Sequence, residues 1–550
     1  MSTPTPATWR ADIETFTRHL VCVPSISPSV AEGAVVEAVV ALLRGDGLGD
    51  AYTHCGLVAI PNDPFGRHNA IAVLPGVTRD AVILLGHTDT VGITDFGELA
   101  SLACDPEALA PHWRTLLGPD KTLANPEEWM FGRGALDMKS GVAVNIAVMR
   151  HFARQALAGA PPPFTIILAA TPDEETQSAG AMALIGWLAD YRAREGVRLR
   201  GLINTDYVAP RFAGDPERPI YSGTVGKLLP LFYVVGKATH VGDPYDGLDA
   251  NLVSAELIHE FSMNPKLVDV VRGERTPPPV TLHSADLKAS YNVQTPDTAW
   301  FYLNVLTLST SPERLLADLM RRTARTMERI SRKLVMDFEQ LRGPAATVPQ
   351  HLQPPEVWTF AQLAEMVIAA HGQAGLDATS AAVLAACPPQ MDSREVTLRL
   401  IARLWETLGR AMPAVILAYA PPYYPHIAGE NGPFLDAMRA VVARHAPAGV
   451  VLREFFPFLS DLSYMRLDPT MRTEGLRLNM PLWREEPQSA ARPGYSLPIA
   501  AMRAAAIEGI VNIGVFGESG HQRDERVLMP YSFETVPQMV YETILELGAS

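Results

Sequence analysis

Residues Ala81–Gly92 read "AVILLGHTDTVG", five apolar residues and a glycine followed by His87, Thr88 and Asp89. A short apolar run that ends at a turn residue is typical of a buried strand. Taken alone, a polar ending of this kind is most often an ordinary loop. The alternative is that His87 binds a metal and Asp89 orients its ring, because a ligating imidazole needs its other nitrogen held. Only the residues elsewhere in the chain can distinguish an ordinary loop from a metal site.

Length and composition are those of an ordinary globular protein. A chain of 550 residues exceeds what one simple core usually holds, so two domains are expected. Hydrophobic residues make up 47% of the chain, and no run of about 18 uninterrupted apolar residues predicts a membrane span. The opening stretch "MSTPTPATWRADIETF" lacks a basic segment followed by an apolar core. No secretory signal is therefore recognised, and a cytoplasmic location is expected.

The cysteines and the net charge argue against several kinds of site and partner. The four cysteines lie far apart without a CxxC pair, which argues against a thiolate zinc site and against a disulfide framework. A net charge of -14 disfavours nucleic acid and anionic membranes as partners. Neither a nucleic acid nor a membrane is expected to bind this protein.

Metal-type side chains also follow other strand-like runs. "FTIILAATPDEE" ends at Glu174 and Glu175, "LRGLINTDY" carries Asp206 near its end, and "GIVNIGVFGESGH" ends at His521. Apolar runs alternate with helical ones in this chain, which predicts an α/β sheet. Ligands of such sheets bind beyond the carboxyl ends of the strands, so these runs predict one shared crevice.

Asp137 is a further candidate, in "FGRGALDMKSG", where a glycine-punctuated loop enters a helical run that closes near Gly159. An acidic residue at that position also stabilises a helix N-terminus without any ligand. The pair Glu174 and Glu175 can equally be a solvated acidic turn, since adjacent residues of an extended segment point opposite ways. A turn beyond the strand would let one glutamate bind a metal while its neighbour acts in the reaction.

The donor set favours particular metals. Histidine and carboxylate donors without cysteine suit Zn²⁺, Co²⁺ or Mn²⁺. Two metals about 3.5 to 4 Å apart need a bridging carboxylate, two further ligands each and a spare carboxylate as base. The chain fits this count with Asp137 as the bridge and Glu174 as the spare carboxylate. The remaining ligands would pair as His87 with Asp206 and Glu175 with His521.

Five motifs, "GHTDTV", "GRGALDMKSG", "TPDEE", "NTDY" and "FGESGHQRDERV", resemble in order and spacing those of the M20 metallopeptidase and aminoacylase family. The resemblance implies two divalent metal ions, zinc first, and a peptide bond between Asp137 and Met138 that is cis. It implies that Asp89 supports a metal ligand and that Glu174 is the general base. It assigns five metal ligands: His87, Asp137, Glu175, Asp206 and His521.

The resemblance implies an α/β fold: a mixed-sheet, two-metal exopeptidase-type catalytic domain with an inserted α+β lid domain. We place the catalytic domain in residues 1–222 and 413–550 and the lid in residues 223–412, with "PAVILAYAPPYYPHIAGEN" returning to the catalytic sheet. From Ser311 to Gly343 the pattern predicts one long helix with a serine cap and a glycine stop. Its basic residues are read as a solvated face over an apolar stripe rather than as a nucleic-acid site.

The helices beyond that point exceed a compact lid, and this extra helical elaboration is similar to the RocB-like branch, named for arginine utilisation. "FFPFLSDLSYMRL" supports the same branch, and its Ser460 and Asp461 occupy a position near the family's active site. A plain loop cap is the alternative reading of that pair.

Three residues of the predicted lid are candidates for substrate contacts. The resemblance gives His240 the position that stabilises the oxyanion, and Asn292 the position of an asparagine that contacts substrate. The alternatives are a polar loop histidine and a simple turn before Pro296. Many relatives carry a carboxylate-binding arginine where this chain has Asn304 and Val305. Either another basic residue, for which Lys227 is the candidate, replaces it or the substrate lacks that carboxylate.

The resulting prediction is an enzyme, a metal-dependent hydrolase that cleaves a peptide or N-acyl amino acid amide bond with metal-activated water and a glutamate base. An arginine-derived amide fits as a substrate too. The alternative is a catalytically silent relative that binds a metabolite or partner in amino-acid catabolism. Such a relative would normally have lost a ligand or the base, and none is lost here. A homodimer that pairs along a strand edge of the lid is compatible with the resemblance.

Overall fold

The computed structural model describes residues 5–117, 125–388, 391–429, 431–467, 471–484 and 494–549. They form two compact units. The first unit is built from the described residues of Met1–Thr224, Ile427–Leu467 and Pro498–Ser550. The second is built from those of Val225–His426 and Asp468–Leu497.

Helices and strands are numbered along the chain. The helices are α1 (Pro6–Val21), α2 (Glu32–Arg44), α3 (Pro106–Leu116), α4 (Lys139–Leu157), α5 (Ala179–Glu195), α6 (Ala250–Phe261), α7 (Pro312–Arg342), α8 (Phe360–Ala386), α9 (Ser393–Thr407), α10 (Pro433–His445), α11 (Glu474–Asn479), α12 (Ile499–Ala505) and α13 (Val536–Ala549). The strands are β1 (His54–Ala59), β2 (His68–Leu74), β3 (Thr78–His87), β4 (Trp129–Phe131), β5 (Phe164–Thr171), β6 (Leu199–Asn204), β7 (Arg218–Thr224), β8 (Gly226–Val235), β9 (Val270–Val271), β10 (Glu274–Arg275), β11 (Val280–Asp286), β12 (Thr298–Thr307), β13 (Glu356–Thr359), β14 (Ala414–Tyr424), β15 (Val450–Phe456), β16 (Ile510–Asn512), β17 (Gly517–Glu518) and β18 (Arg526–Leu528).

The first unit is organised around an eight-stranded mixed sheet in the order β1-β2-β5-β3-β6-β16-β7-β15. The opening apolar run lies in β3, where Val82 and Leu85 are completely buried. β3 runs parallel to both of its neighbours, β5 and β6. Side chains of α1, α2, α4 and α13 join strand residues in one core. Burial of both faces explains why this strand is continuously apolar rather than alternating.

A five-stranded sheet in the order β11-β12-β8-β14-β13 forms the centre of the second unit. Only the β13 pairing with β14 is parallel. One face packs under α8 and α9, where Leu231 and Tyr233 meet Leu404. On the other face Phe232 stacks on Phe301, with ring centres 4.5 Å apart. The structure therefore confirms a mixed α/β unit with an inserted α+β unit and additional helices.

The long helix α7 begins and ends as predicted. The Ser311 side chain accepts a hydrogen bond from the Arg314 backbone N–H, and Gly343 ends the helix at a φ of 87°. The predicted apolar stripe faces inward, with Leu319 and Met327 completely buried. Arg322, on the outer side, pairs with Asp318 and Glu260. The basic residues thus contribute a solvated, ion-paired face.

One predicted strand lies in the other sheet. β14, within "PAVILAYAPPYYPHIAGEN", pairs with β8 and β13 in the second unit and does not return to the first sheet. The division therefore falls after His426 and not after residue 412. All of β14 is buried because helices cover both faces of its sheet. Its sequence consequently reads like a central strand of either sheet, and the apolar pattern alone cannot assign it.

A later segment of the chain also belongs to the second unit. The short helix α11 packs against α7 and α8. The Gly475 backbone N–H donates to Glu313 Oε1 at 2.7 Å, and Asn479 Oδ1 accepts from the Ala361 backbone N–H at 3.1 Å. Both contacts hold the starts of long helices, so α11 is an integral part of this unit.

Among the described helices, none combines the length and the apolar character that crossing a bilayer requires.

The stacked pair in the second unit gives a test of its core. Replacing Phe232, which is completely buried, by Ala is expected to lower the free energy of unfolding by about 3–5 kcal/mol, because it removes a large apolar side chain and leaves a cavity. Denaturant unfolding followed by circular dichroism measures the change. The control is Phe212→Ala, at a side chain that is 60% exposed, which should shift stability by less than about 0.5 kcal/mol. Equal effects would contradict the packing described here.

Candidate metal centre

Three neighbouring strands of the first sheet end at one edge and carry polar side chains there. β3 ends at His87, directly beside Thr171, the last residue of β5. β6, on the other side of β3, ends just before Asp206. The turn that follows β5 carries Glu174 and Glu175. Parallel pairing thus places the predicted side chains at a common edge, where ligands of α/β sheets bind.

Asp137 reaches this edge just before the start of helix α4. Gly141 lies in the first turn of the helix, and a Cβ there would lie 2.3 Å from the backbone oxygen of Thr205. Gly86 in β3 has a similar role, since a Cβ there would lie 2.8 Å from the Met138 side chain. The two glycines allow a close approach of the helix to the sheet edge. The peptide bond between Asp137 and Met138 is cis, as the resemblance implied.

His521 comes from a different element than the sequence indicates. The run "GIVNIGVFGESGH" contributes only β16 to the main sheet. The chain then enters a three-stranded sheet in the order β17-β18-β4, and His521 lies between β17 and β18 at a φ of 63°. A Cβ at Gly514 would lie 2.1 Å from the Asp206 backbone oxygen. This glycine marks a close backbone approach where the chain leaves the strand, so the expectation of a continuous strand was wrong.

The five predicted ligands meet around Asp137. Asp137 Oδ1 is 3.0 Å from His87 Nε2, and Asp137 Oδ2 is 2.9 Å from His521 Nε2. His521 Nε2 also lies 3.1 Å from Glu175 Oε1. Two groups of donor atoms, each within 4.8 Å of one another, share Asp137: one contains His87 and Asp206, the other Glu175 and His521. One carboxylate therefore connects two potential metal sites.

Asp89 is completely buried and holds two parts of this centre. Its backbone oxygen is 3.2 Å from His87 Nδ1, and its carboxylate Oδ1 is 3.5 Å from the same nitrogen. The two carboxylate oxygens accept hydrogen bonds from the backbone N–H groups of Glu174 and Glu175, at 3.1 and 3.0 Å. Asp89 thus fixes both the imidazole and the turn that carries the two glutamates.

Several carboxylates of the centre are hard to ionise in their surroundings. Burial raises the pKa of Glu174 well above its usual range, and the nearby charges of Glu175 and Asp461 raise it further. Burial and the charge of Asp137 raise the pKa of Asp206 to about 8. The common cause is the crowding of negative charge in a medium that solvates it poorly. Bound cations would relieve this crowding.

Asp137 behaves in the opposite way. Burial opposes its ionisation, but hydrogen bonds from His521 and His87 hold the pKa of this carboxyl below its usual range. The same hydrogen bonds, to Asp137 and Glu175, raise the pKa of His521 to about 10. The nitrogen and oxygen atoms that make these short contacts are the atoms that would hold a metal ion between them. Imidazole and carboxylate donors around a buried shared aspartate fit a pair of divalent ions.

Two buried residues support Asp137 and were not singled out in the sequence. Glu525 Oε1 accepts hydrogen bonds from the backbone N–H groups of Leu136 and Asp137, at 3.0 and 3.1 Å. Glu525 in turn binds Arg133 at 2.6 Å, and Arg133 reaches Asp95 at 2.9 Å. Both Arg133 and Glu525 fall inside the motifs "GRGALDMKSG" and "RDERV", but their pairing depends on the fold.

Asp461 lies at the same centre. Its Oδ2 accepts a hydrogen bond from the Thr171 hydroxyl at 2.9 Å, and its charge acts on Glu174. Burial raises the pKa of Asp461 to about 6. The neighbouring Ser460 caps the following turn by accepting from the Leu462 backbone N–H. The pair therefore contributes both a cap and a buried carboxylate.

The three predicted substrate contacts all belong to the second unit. His240 pairs with Gln294 in an isolated bridge, and its Nδ1 accepts from the Gly242 backbone N–H at 3.0 Å. Asn292 Oδ1 accepts from the Gln294 backbone N–H at 3.1 Å, so the two predicted residues adjoin one loop. Lys227 is the second residue of β8 and places its Nζ 5.3 Å from the centre of the Tyr424 ring. Their roles stay predictions.

Comparison with known proteins identifies the family. The model described as Peptidase family M20/M25/M40 matches residues 83–477, from β3 to α11. The chain belongs to this peptidase family. The RocB protein of Bacillus subtilis (strain 168) is 32% identical over 559 residues, which cover 97% of the chain and 94% of that protein. This similarity supports the RocB-like branch, and membership of the M20 family makes the protein a metal-dependent hydrolase of the peptidase and amidohydrolase type.

Two solved structures show the same fold. A tripeptidase from Staphylococcus aureus subsp. aureus Mu50 has a TM-score of 0.53 at 13% identity, covering 98% of the chain and 99% of that structure. The YXEP protein of Bacillus subtilis, described as a dinuclear metal binding peptidase from the M20 family, has a TM-score of 0.50 at 12% identity, covering 99% of each chain. At these identities the likeness concerns the fold alone.

The close approach at Gly141 gives a test of the centre. Gly141→Ala is expected to weaken Zn²⁺ binding by about 10- to 100-fold, because the added Cβ pushes the start of α4, and with it Asp137, away from the Asp206 segment. Titration with Zn²⁺ against a competing chelator measures the affinity. Gly186→Ala is the matched control, since a Cβ there meets nothing within 4 Å. Unchanged affinity in Gly141→Ala would contradict the role of this contact.

Proposed function

We propose that the protein hydrolyses the amide bond of a small peptide or N-acyl amino acid with two divalent ions, for which Asp137 would be the shared ligand. One observation carries the proposal. The two oxygens of Asp137 face two different donor groups, and Glu174 belongs to neither of them. A shared carboxylate with a free neighbouring carboxylate is the arrangement that a two-metal hydrolase requires.

His87 and Asp206 would hold one ion, and Glu175 and His521 the other. The donors are imidazoles and carboxylates, so zinc is the ion that we propose, with cobalt and manganese as the nearest alternatives. When bound, such ions act as Lewis acids that lower the pKa of water and polarise the scissile carbonyl. Asp89 supports this arrangement by holding His87 Nδ1, which leaves Nε2 directed at Asp137.

Glu174 is proposed as the general base. Its backbone N–H is held by Asp89, and the residue is half-buried beside the donor groups. Glu174 would take a proton from the attacking water and return it to the leaving amine, so that one residue serves both halves of the reaction. The neighbouring Glu175 cannot take this role if it binds a metal.

Substrate recognition is assigned to residues of the second unit. His240 would stabilise the oxyanion, and Asn292 and Lys227 would contact the substrate. Since Asn304 and Val305 stand where many relatives carry a carboxylate-binding arginine, a substrate without that carboxylate is compatible with the chain. A role in arginine catabolism, a cytoplasmic location and a homodimer stay predictions.

Replacing Glu174 by Gln tests the base. The variant is expected to lose about 10²- to 10⁴-fold in kcat while it binds the same two equivalents of Zn²⁺, because the amide cannot accept the proton but leaves the donor groups intact. Activity on a panel of N-acyl amino acids and dipeptides, together with metal analysis, measures both quantities. Glu98→Gln, at an exposed position of the same unit, is the control. Retained turnover would remove the base assignment.

Chelation tests the metal requirement. Removal of bound metal with a strong chelator should abolish hydrolysis, and adding Zn²⁺, Co²⁺ or Mn²⁺ back should restore it, because the chemistry requires a Lewis acid. The rate is expected to recover fully only at two equivalents per chain. Recovery that is complete at one equivalent would argue against the binuclear mechanism.

A further inference from the structure

A buried ion network lies behind the turn that carries Glu174 and Glu175. Arg67 is only 4% exposed and contacts three carboxylates. It lies 2.7 Å from Asp63, 2.9 Å from Glu32 and 2.6 Å from Asp173. A guanidinium presents five donors in a rigid planar fork, so three partners fix its position closely.

Asp173 connects Arg67 to the turn that carries Glu174 and Glu175. Its Oδ1 accepts from Arg67 and from the Thr176 hydroxyl, and its Oδ2 accepts from the Ala179 backbone N–H at 3.0 Å. The backbone oxygen of Asp173 accepts from the N–H groups of Gln177 and Ser178, at 3.1 and 2.7 Å. Asp173 has a φ of 75°, a left-handed conformation that a residue other than glycine adopts only when its surroundings hold it. These contacts clamp both ends of the turn.

Asp89 and Arg67 hold the turn from two directions. Asp89 binds the backbone N–H groups of Glu174 and Glu175, whereas Arg67 binds the side chain of the residue that precedes them. Asp89 also touches His87, so its loss would disturb both donor groups. Among the described residues, the Arg67 side chain hydrogen-bonds to Asp63, Glu32 and Asp173 and does not contact the metal ligands themselves. Its influence should therefore reach the centre only through the turn.

We propose that Arg67 is a positioning residue that fixes the turn of Glu174 and Glu175 through Asp173. The inference rests on the proposed function, since it assigns Glu175 to one metal and Glu174 to proton transfer. It predicts in addition that the two metal sites respond differently when the turn is loosened. Glu175 belongs only to the donor group with His521, so loosening the turn should weaken one ion selectively and displace the base, while the group of His87 and Asp206 keeps its affinity.

The test compares Arg67→Met with Arg150→Met. Arg150 is equally buried in the same unit and binds the Leu42 backbone oxygen and Asp46, which makes it a matched control for losing a buried arginine. Zn²⁺ is titrated into each metal-free protein against a competing chelator. Arg67→Met is expected to weaken the second of two binding steps by about 10- to 100-fold and to leave the first unchanged. Its kcat should fall while KM changes little, and Arg150→Met should retain both binding steps.

Arg67→Lys and Asp173→Asn complete the set. Lysine keeps the charge but not the fork, so partial rescue is expected with the lower kcat still evident. Asp173→Asn leaves Arg67 paired with Asp63 and Glu32, and it should reproduce the selective loss even if Arg67→Met fails to fold. Equal weakening of both steps, or two unchanged steps in a folded Asp173→Asn variant, would overturn the inference. A wild-type protein that binds fewer than two ions would instead overturn the proposed function.

Discussion

The centre depends on the two oxygens of one buried carboxylate. Asp137 Oδ1 and Oδ2 each face a different histidine, at 3.0 and 2.9 Å, and every other donor of the centre is grouped with one side or the other. This arrangement requires the carboxylate to stay ionised inside the protein, although burial opposes it. The histidines supply the compensation in the structure, and two cations would supply more of it.

Much of this geometry could be predicted because it follows from strand ends. His87, Glu175 and Asp206 come after apolar runs, and parallel pairing of β3 with β5 and β6 is enough to bring such residues to one edge. The start and end of α7 could be predicted for a similar reason, since a serine cap and a glycine stop are local signals. Motif resemblance then supplied what the runs could not, the assignment of separate roles to Glu174 and Glu175.

Other features lie beyond local patterns. β14 reads like a central strand of either sheet, because burial of both faces erases the alternation that would mark its surroundings. His521 reaches the centre from a small separate sheet, and only Gly514 hints that the preceding strand breaks. The ion pairs Arg67–Asp173 and Arg133–Glu525 each join residues more than a hundred positions apart. Sequence patterns do not encode which buried charges meet.

The second unit is built from two separate stretches of the chain, and this determines which truncations the unit can tolerate. Its sheet is covered on both faces by its own helices, yet α11 arrives from beyond residue 467 and satisfies Glu313 and the first turn of α8. A chain that ended after His426 would leave the half-buried Glu313 and the first turn of α8 without these partners. Loss of this unit therefore requires both of its stretches, residues 225–426 and 468–497, to be removed together.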